Sequence, residues 1–347
     1  MTVFSHRDFD GHERIVFAHD AASGLRAIIA VHSTRLGPAA GGCRMWPYAS
    51  DDEALADVLR LSRGMTYKNA VAGLDLGGGK AVIIADPKTQ KTTELMRSFG
   101  RAINDLGGSY ITAEDVGIDV ADMEIVRETT RHVAGLSRGA HASGDPSPVT
   151  ARGVFEGLRL AVAMRLQRET LGGVRVAVQG LGHVGRHLCA LLHEAGAVLV
   201  VSDIDTTRMR EVVEAYGASA VAANEIMQVD ADVFAPCALG GILNETIIPA
   251  LRVAVVAGAA NNQLAGPGIA QALHERGILY VPDYALNAGG IINVAREIAG
   301  ISDPNWVEER FAGMLANIDE ILREASERDV SPDAIAAEFA RRRLATS

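Results

Sequence analysis

The chain alternates short apolar runs with longer amphipathic stretches, and the alternation changes character near its middle. Before residue 135, the runs RAIIAVHS (26–33), AVIIAD (81–86) and SYIT (109–112) predict strands. Between the first two, DDEALADVLRLSRGMTYKNAVAG predicts a long helix from Asp51. Ser50 and Glu53 make a capping-box pattern at its start, and Asp51 and Asp52 suit the positive end of the helix dipole. TELMRSFGRAINDL and VADMEIVRETTRHV predict two further helices. The segment GLSRGAHASGDPSPV (135–149) is rich in Gly, Ser and Pro and has no apolar period, which predicts a domain boundary. After it comes a helix, ARGVFEGLRLAVAMRL, and then a regular succession of strand and helix. The strands are VRVAVQ (174–179), AVLVVSD (197–203), ADVFAP (231–236), RVAVVAG (252–258) and GILYVPD (277–283). Such alternation predicts a parallel sheet with helices on both faces. The tail from Trp306 onward is helical and charged.

Composition narrows the functional classes. A length of 347 residues suits two domains. No apolar run approaches the ~18 residues of a membrane span, and the N-terminus MTVFSHRDFDG lacks the pattern of a secretory signal. Cys43, Cys189 and Cys237 are scattered, with no metal-like spacing, as expected of reduced thiols in a cytoplasmic protein without a metal site. A formal charge of −10 disfavours nucleic acid and anionic membranes as partners.

Two glycine-rich stretches compete as phosphate sites. GLDLGGGKAVIIADP (73–87) carries Gly77, Gly78, Gly79 and Lys80, but Leu74 and Ala81 occupy positions where a P-loop needs Gly and Ser or Thr. A strand follows it instead of a helix, so a P-loop hydrolase is disfavoured. In VRVAVQGLGHVGRHLCALLHEAGAVLVVSDID, Gly180, Gly182 and Gly185 form G-x-G-x-x-G between a buried strand and an amphipathic helix. Asp203 closes the next strand, where a carboxylate can accept hydrogen bonds from a ribose hydroxyl and would repel a 2′-phosphate. The pattern predicts a dinucleotide site with Gly180, Leu181, Gly182, His183, Val184 and Gly185 at the pyrophosphate, and NAD in preference to NADP.

The candidate chemistry lies upstream. Val58, Leu61, Met65, Lys68 and Ala72 follow helical steps of three and four, so Lys68 occupies a position expected in a core or cleft, unless its stem is buried and its ammonium snorkels to water. Lys80 stands at the mouth of a predicted strand, and two cations there could divide anion binding and proton chemistry. A lysine desolvated beside another cation would titrate low enough for acid–base work near neutral pH. Asp115 in ITAEDVG follows the strand 109–112 and is a candidate partner; its neighbour Glu114 is an equal rival by spacing, and either could be a turn carboxylate.

The stretches RLSRGMTYKNAVAGLDLGGGKAVI, ITAEDVG, QGLGHVG, FAPCALGGILN, GAANNQL and PDYALNAGGIINVARE closely resemble the leucine, valine and phenylalanine dehydrogenases of the glutamate dehydrogenase superfamily, over nearly the whole chain. The resemblance implies an α/β protein of two domains with a cleft between them. Residues 1–140 would form the substrate and oligomerisation domain, onto which helices of about 320–347 pack back, and 141–320 a Rossmann-type doubly wound NAD-binding domain. It implies NAD-dependent, reversible oxidative deamination of an L-amino acid to a 2-oxo acid and ammonia by a homo-oligomer, a dimer or larger. By motif, Lys68 would bind the substrate carboxylate, Lys80 would activate water, and Asp115 would exchange protons with the amine. Asn262 would hold the substrate's main-chain end, while Thr150, Asn261 and Asn287 would line the cofactor site. Ala40, Gly41, Met65, Ala113, Ile291 and Val294 would surround the substrate; none is charged, so a glutamate side chain would be rejected. LGPAAGG, with Ala40 where leucine enzymes commonly carry leucine, resembles some phenylalanine-preferring relatives, whereas Ile291 in GIINV resembles the leucine enzymes. The balance favours branched aliphatic substrates, with phenylalanine as the alternative. A non-catalytic NAD-binding regulator is the alternative of another class, though it has no need of Lys68, Lys80 and Asp115.

Overall fold

The long helix over 51–71 and the glycine-lysine run organise the first half of the protein. The computed structural model describes residues 3–139, 142, 144–303 and 305–346, and the chain divides into two units. Unit 1 contains the residues up to Asp145, with Asn293–Val307 and Ala340–Ser347; unit 2 contains Pro146–Ile292 and Glu308–Phe339.

In unit 1 the elements run β1 (Arg14–Asp20), β2 (Leu25–Ser33), β3 (Ala39–Ala40), β4 (Cys43–Trp46), α1 (Asp51–Val71), β5 (Gly77–Ile84), α2 (Thr93–Asn104), β6 (Tyr110–Ile111) and α3 (Val120–Arg127). The sheet order is β1-β2-β5-β3-β6, with β4 also paired to β5. β1 and β2 run antiparallel, as do β2 and β5, while β3 and β4 lie parallel to β5. The nearly unbroken apolar run in β2 is explained by burial on both faces. Ala27, Ile29 and Val31 face a core with Phe99, Met96 and Met123 of α2 and α3, while Ile28 and Ala30 face Leu55, Val58 and Leu59 of α1. The predicted cap of α1 is present in modified form. Ser50 accepts from the Glu53 N–H at 3.1 Å, but Glu53 reaches back to the Ala49 N–H at 2.9 Å instead of that of Ser50.

Strand β5 differs from expectation. It begins at Gly77, so all three glycines and Lys80 lie inside the strand rather than at its mouth. Their neighbours are protein groups. A methyl on Gly78 would overlap the backbone and hydroxyl of Thr66 on α1, and one on Gly79 would strike the Tyr110 ring. The face of α1 that meets this backbone is polar: Ser62, Thr66 and Asn69 are buried, and Asn69 Nδ2 donates to the Gly77 carbonyl at 2.6 Å. The glycines therefore let a helix lie directly on a central strand.

Unit 2 begins with α4 (Ser147–Leu166), which starts earlier than predicted. It continues through β7 (Arg175–Gln179), α5 (His183–Glu194), β8 (Val198–Ser202), α6 (Thr206–Tyr216), β9 (Ser219–Ala220), β10 (Val233–Pro236), β11 (Val255–Val256), α7 (Ile269–Glu275), β12 (Leu279–Tyr280) and α8 (Asp283–Leu286). All its strands are parallel, in the order β12-β11-β10-β7-β8-β9. This is the doubly wound 3-2-1-4-5-6 arrangement, with the switch point between β7 and β10. The chain ends in α9 (Gly289–Ile298), α10 (Asn305–Arg328) and α11 (Pro332–Ala345). The expected return of 320–347 to the first domain is narrowed to 340–347, because 308–339 belong to unit 2. Glu308 pairs with Arg152 of α4 at 2.7 Å, and Arg152 lies over the Phe311 ring at 4.2 Å. Residues past 340 instead join unit 1, where Arg343 donates to the carbonyls of Ala70 and Leu74 at 2.8 and 3.0 Å. Residues 140, 141 and 143 of the predicted boundary lie outside the described residues. Among the described residues, no helix is long and apolar enough to cross a membrane.

The packing of α1 on β5 gives a direct test. Gly78→Ala is expected to cost about 1–3 kcal/mol by forcing α1 off the strand, read as a lowered urea midpoint, with Gly64→Ala in an open stretch of the same helix as the tolerated control.

Candidate active site

In unit 1, backbone pairing gathers the chemical residues. The Cys43 N–H donates to the Ala113 carbonyl at 2.8 Å, and the Met45 N–H to that of Val116 at 2.9 Å, so β4 clamps the 113–116 loop. On its other side β4 runs beside β5, with Cys43 paired to Ala81. The clamp thus brings Asp115 against Lys80, and the two side chains form a direct ion pair. Lys80 is 7 % exposed and the Asp115 side chain 14 %, so the pair is largely withdrawn from water. Burial, the largest influence on Asp115, pushes its carboxyl up. The charges of Lys80 and Arg44, with hydrogen bonds from Lys80 and the Val116 N–H, outweigh it and hold the pKa at about 2. The rivalry between Glu114 and Asp115 is resolved geometrically: the carboxylate on Lys80 belongs to Asp115. The neighbour brought to Lys80 is thus the carboxylate of Asp115.

Ala40, at the end of β3, is buried, and Gly41 follows it. Tyr110 donates from its hydroxyl to the Gly41 carbonyl at 2.6 Å. A methyl on Gly41 would come within 2.9 Å of Met65 Cγ, so Met65 packs over this turn. Lys68 lies one helical turn beyond Met65 and is half-buried. Val294 lies on the part of α9 that belongs to unit 1, and Ile291 on the part that belongs to unit 2.

In unit 2 the predicted cofactor residues follow the carboxyl ends of the strands. Gly180 follows β7 at φ +93°, a conformation that favours glycine, and a methyl there would collide with Ala238 after β10. Gly182 is the N-cap of α5, which has no side-chain cap, and its α-carbon faces open space. His183 and Val184 begin the helix, and Gly185 passes under the Gly180 carbonyl. Asp203 follows β8. Its carboxylate accepts from the Leu181 N–H at 2.5 Å and the Asp205 N–H at 2.8 Å, which fixes it beside the glycine turn. After β12, Asn287 Nδ2 donates to Asn261 Oδ1 at 2.8 Å and to the Ala259 carbonyl at 3.1 Å. Thr150, in the first turn of α4, donates to the Pro146 carbonyl at 2.9 Å and stands against Gly290. Asn262 adopts φ +51°, unusual outside glycine, and its carbonyl accepts from Gly241 N–H at 2.7 Å.

A dinucleotide fits this end of the sheet. The α5 N-terminus presents uncapped N–H groups over a glycine with room in front of it, and a carboxylate stands at the ribose position. Three buried polar atoms here, Gln179 Oε1, Ser202 Oγ and Asn287 Oδ1, have no hydrogen-bond partner among the described residues.

Arg44, Tyr48, Asp57 and Tyr110 also join this face, although no motif in the sequence marks them. Arg44 Nη1 donates to Asp57 at 2.8 Å, and its Nη2 stands 3.8 Å from Asp115. The signal was the alternation in Cys43-Arg44-Met45-Trp46, a strand too short to register as one.

Comparison with known proteins identifies relatives of the chain. The family description "Glu/Leu/Phe/Val dehydrogenase, dimerisation domain" matches residues 12–132, and "Glutamate/Leucine/Phenylalanine/Valine dehydrogenase" matches 201–346. The chain is 49 % identical to the leucine dehydrogenase of Geobacillus stearothermophilus, over 97 % of this chain and 92 % of that one. It is 46 % identical to the valine dehydrogenase of Streptomyces virginiae, over 99 % and 96 %. The crystal structure of L-tryptophan dehydrogenase from Nostoc punctiforme superposes with a TM-score of 0.83 at 44 % identity, covering 97 % of this chain and 96 % of that one. The chain belongs to the glutamate/leucine/phenylalanine/valine dehydrogenase family.

Proposed function

We propose that the protein catalyses the reversible, NAD-dependent oxidative deamination of a branched-chain aliphatic L-amino acid, leucine foremost and valine and isoleucine with it, to the 2-oxo acid and ammonia. The observation that carries the reading is the buried Lys80–Asp115 pair, built onto a strand that also pairs with β3 at Ala39–Ala40. It is supported by the leucine and valine dehydrogenases among the relatives.

The residues divide the work as follows. Lys68 binds the α-carboxylate of the substrate. Asp115, held in its carboxylate form by Lys80 and Arg44, accepts a proton from the substrate's ammonium group, leaving a neutral amine. NAD, when bound, supplies the acceptor for the hydride that leaves the α-carbon. Lys80 then orients water for attack on the substrate iminium carbon, and solvent takes the proton lost as the carbinolamine forms and the hydroxyl proton lost as the carbonyl forms. Asp115 returns its proton as the carbon–nitrogen bond breaks, and the amine leaves as ammonia. Asn262 holds the substrate's main-chain end. In unit 2, Gly180 to Gly185 bind the pyrophosphate and Asp203 the ribose, with Thr150, Asn261 and Asn287 near the nicotinamide.

The substrate side chain meets Ala40, Gly41, Met65, Ala113, Ile291 and Val294, an uncharged lining that leaves a glutamate carboxylate unpaired at high cost. An aromatic substrate is the second reading, favoured by the small Ala40 and Ala113 and by the tryptophan dehydrogenase among the relatives. We further infer a cytoplasmic homo-oligomer. The dimerisation-domain match over 12–132 supports the oligomer, and three free thiols support a reducing compartment.

NADH formation is expected with L-leucine, L-valine and L-isoleucine in excess of L-phenylalanine and L-tryptophan, and not with L-glutamate. Rates should differ among the aliphatic substrates by only the ~10–200-fold that one methylene allows. Higher kcat/KM with an aromatic substrate would transfer the assignment to the second reading. Lys80→Ala is expected to lose at least ~100-fold in kcat while binding NAD with unchanged Kd by calorimetry; normal turnover would remove Lys80 from the chemistry.

A further inference from the structure

Arg44 touches the reacting carboxylate's surroundings in an unusual way. Strand alternation buries its neighbours Cys43 and Met45 completely and sends the Arg44 side chain to the opposite face, where it is 20 % exposed. Nη1 makes a charge-assisted hydrogen bond to Asp57 Oδ2 of α1 at 2.8 Å, and the Tyr48 hydroxyl donates to the same oxygen at 2.6 Å. Nη2 stands 3.8 Å from Asp115 Oδ2, the oxygen that meets Lys80. That separation is too long for a hydrogen bond but short enough for a strong electrostatic influence. Nε is buried and makes no hydrogen bond among the described residues, so the orientation of the guanidinium is set by Asp57, not by satisfaction of every N–H.

We propose that Arg44, tethered by Asp57 and Tyr48, is a positioning residue for the deamination: it sets a second cation beside Asp115 after Lys80, and its tether keeps it from bonding the carboxylate that must take the substrate's proton. A guanidinium free to form a bidentate pair would occupy both lone-pair edges of Asp115 and make it a poor base. Held at 3.8 Å, it leaves those edges to Lys80 and the amine. The inference rests on the reading of Asp115 as the proton-exchanging group.

Every group that faces Asp115 is compatible with this role. Lys80 comes from β5 and Arg44 from β4; Val116 N–H donates to the other oxygen, Oδ1, at 2.6 Å. Cys43 of β4 and Tyr110 of β6 also lie near, and burial pushes both the thiol and the phenol well up, so they stay neutral. Asp122 of α3 faces Cys43 and is paired with Lys91 at 2.6 Å. Burial likewise raises the Tyr48 phenol, which therefore remains a donor to Asp57.

The test separates charge from tether. Asp115 is titrated by infrared difference spectroscopy against Asp115→Asn, and the acidic limb of kcat is measured in parallel with L-leucine. Arg44→Met is expected to move the carboxyl titration and the limb upward by about one pH unit or more, the size of a lost neighbouring cation. Arg44→Lys, which keeps the charge, should move both by less than half as much. Asp57→Asn, which frees the guanidinium, should move the titration downward and lower kcat with little change in KM. A merely structural role would lower activity in all three variants and leave the titration in place. That outcome overturns the proposal, as does an upward shift in Asp57→Asn or an equal shift in Arg44→Lys and Arg44→Met. Should Arg44→Met fail to fold, the opposite signs expected of Arg44→Lys and Asp57→Asn decide the matter. Absence of NAD reduction by the unsubstituted protein with any amino acid would instead refute the proposed reaction, and the infrared titration would still decide the role of Arg44.

Discussion

The proposed catalytic face depends on one buried ion pair, that of Lys80 with Asp115. Neither charge would be stable alone in so little water, since an uncompensated buried charge typically costs about 3–5 kcal/mol. The pair exists because two backbone hydrogen bonds from β4 clamp the loop that carries Asp115, while ladder pairing holds β4 to the strand that carries Lys80. The glycine run keeps that strand in the middle of the sheet under α1. Local geometry, sheet topology and acid–base chemistry are therefore one construction.

The legible parts of the sequence were those whose signal is local. The parallel strands of unit 2 announce themselves by apolar runs at regular intervals, and Gly180, Gly182, Gly185 and Asp203 by spacing around one strand-turn-helix. The start of α1 was legible in Ser50 and Glu53 because capping involves residues three apart, although the reciprocal bond moved to Ala49. Less legible was whatever depended on pairing distant segments. β3 and β4 are two and four residues long, and only their partners in β5 and at 113–116 make them strands. Strand β1, half-exposed along an edge, gave no clean alternation because none of its residues is fully buried.

The Gly77–Gly79 run shows the limit most clearly. Read locally, three glycines before a lysine look like a loop that makes room for a ligand. In three dimensions the space is taken by Thr66 and Tyr110, residues 12 positions before and 31 after Gly78 and Gly79, respectively. Spacing could not choose between Glu114 and Asp115 for the same reason: consecutive residues differ only in which way the chain turns them. The polar stripe Ser62, Thr66 and Asn69 was likewise hidden, because a helix face that packs on bare backbone carries hydrogen-bonding groups where an apolar stripe would be expected.

The return of the last helix to unit 1 bears on how the chain emerges from the ribosome. Leu36 and Ala70 share a small core with Ala340, and Arg343 ties off carbonyls at the end of α1. A nascent chain that has passed residue 145 possesses the first sheet but leaves this patch bare until residues beyond 340 arrive, about 200 positions later. At ordinary synthesis rates that interval lasts roughly 10–40 s. During it the 146–292 stretch of unit 2 can fold from contiguous sequence, whereas unit 1 waits with apolar surface open to water. The vulnerable species in biogenesis is thus unit 1, whose closing contacts come from residues translated about 200 positions after its sheet.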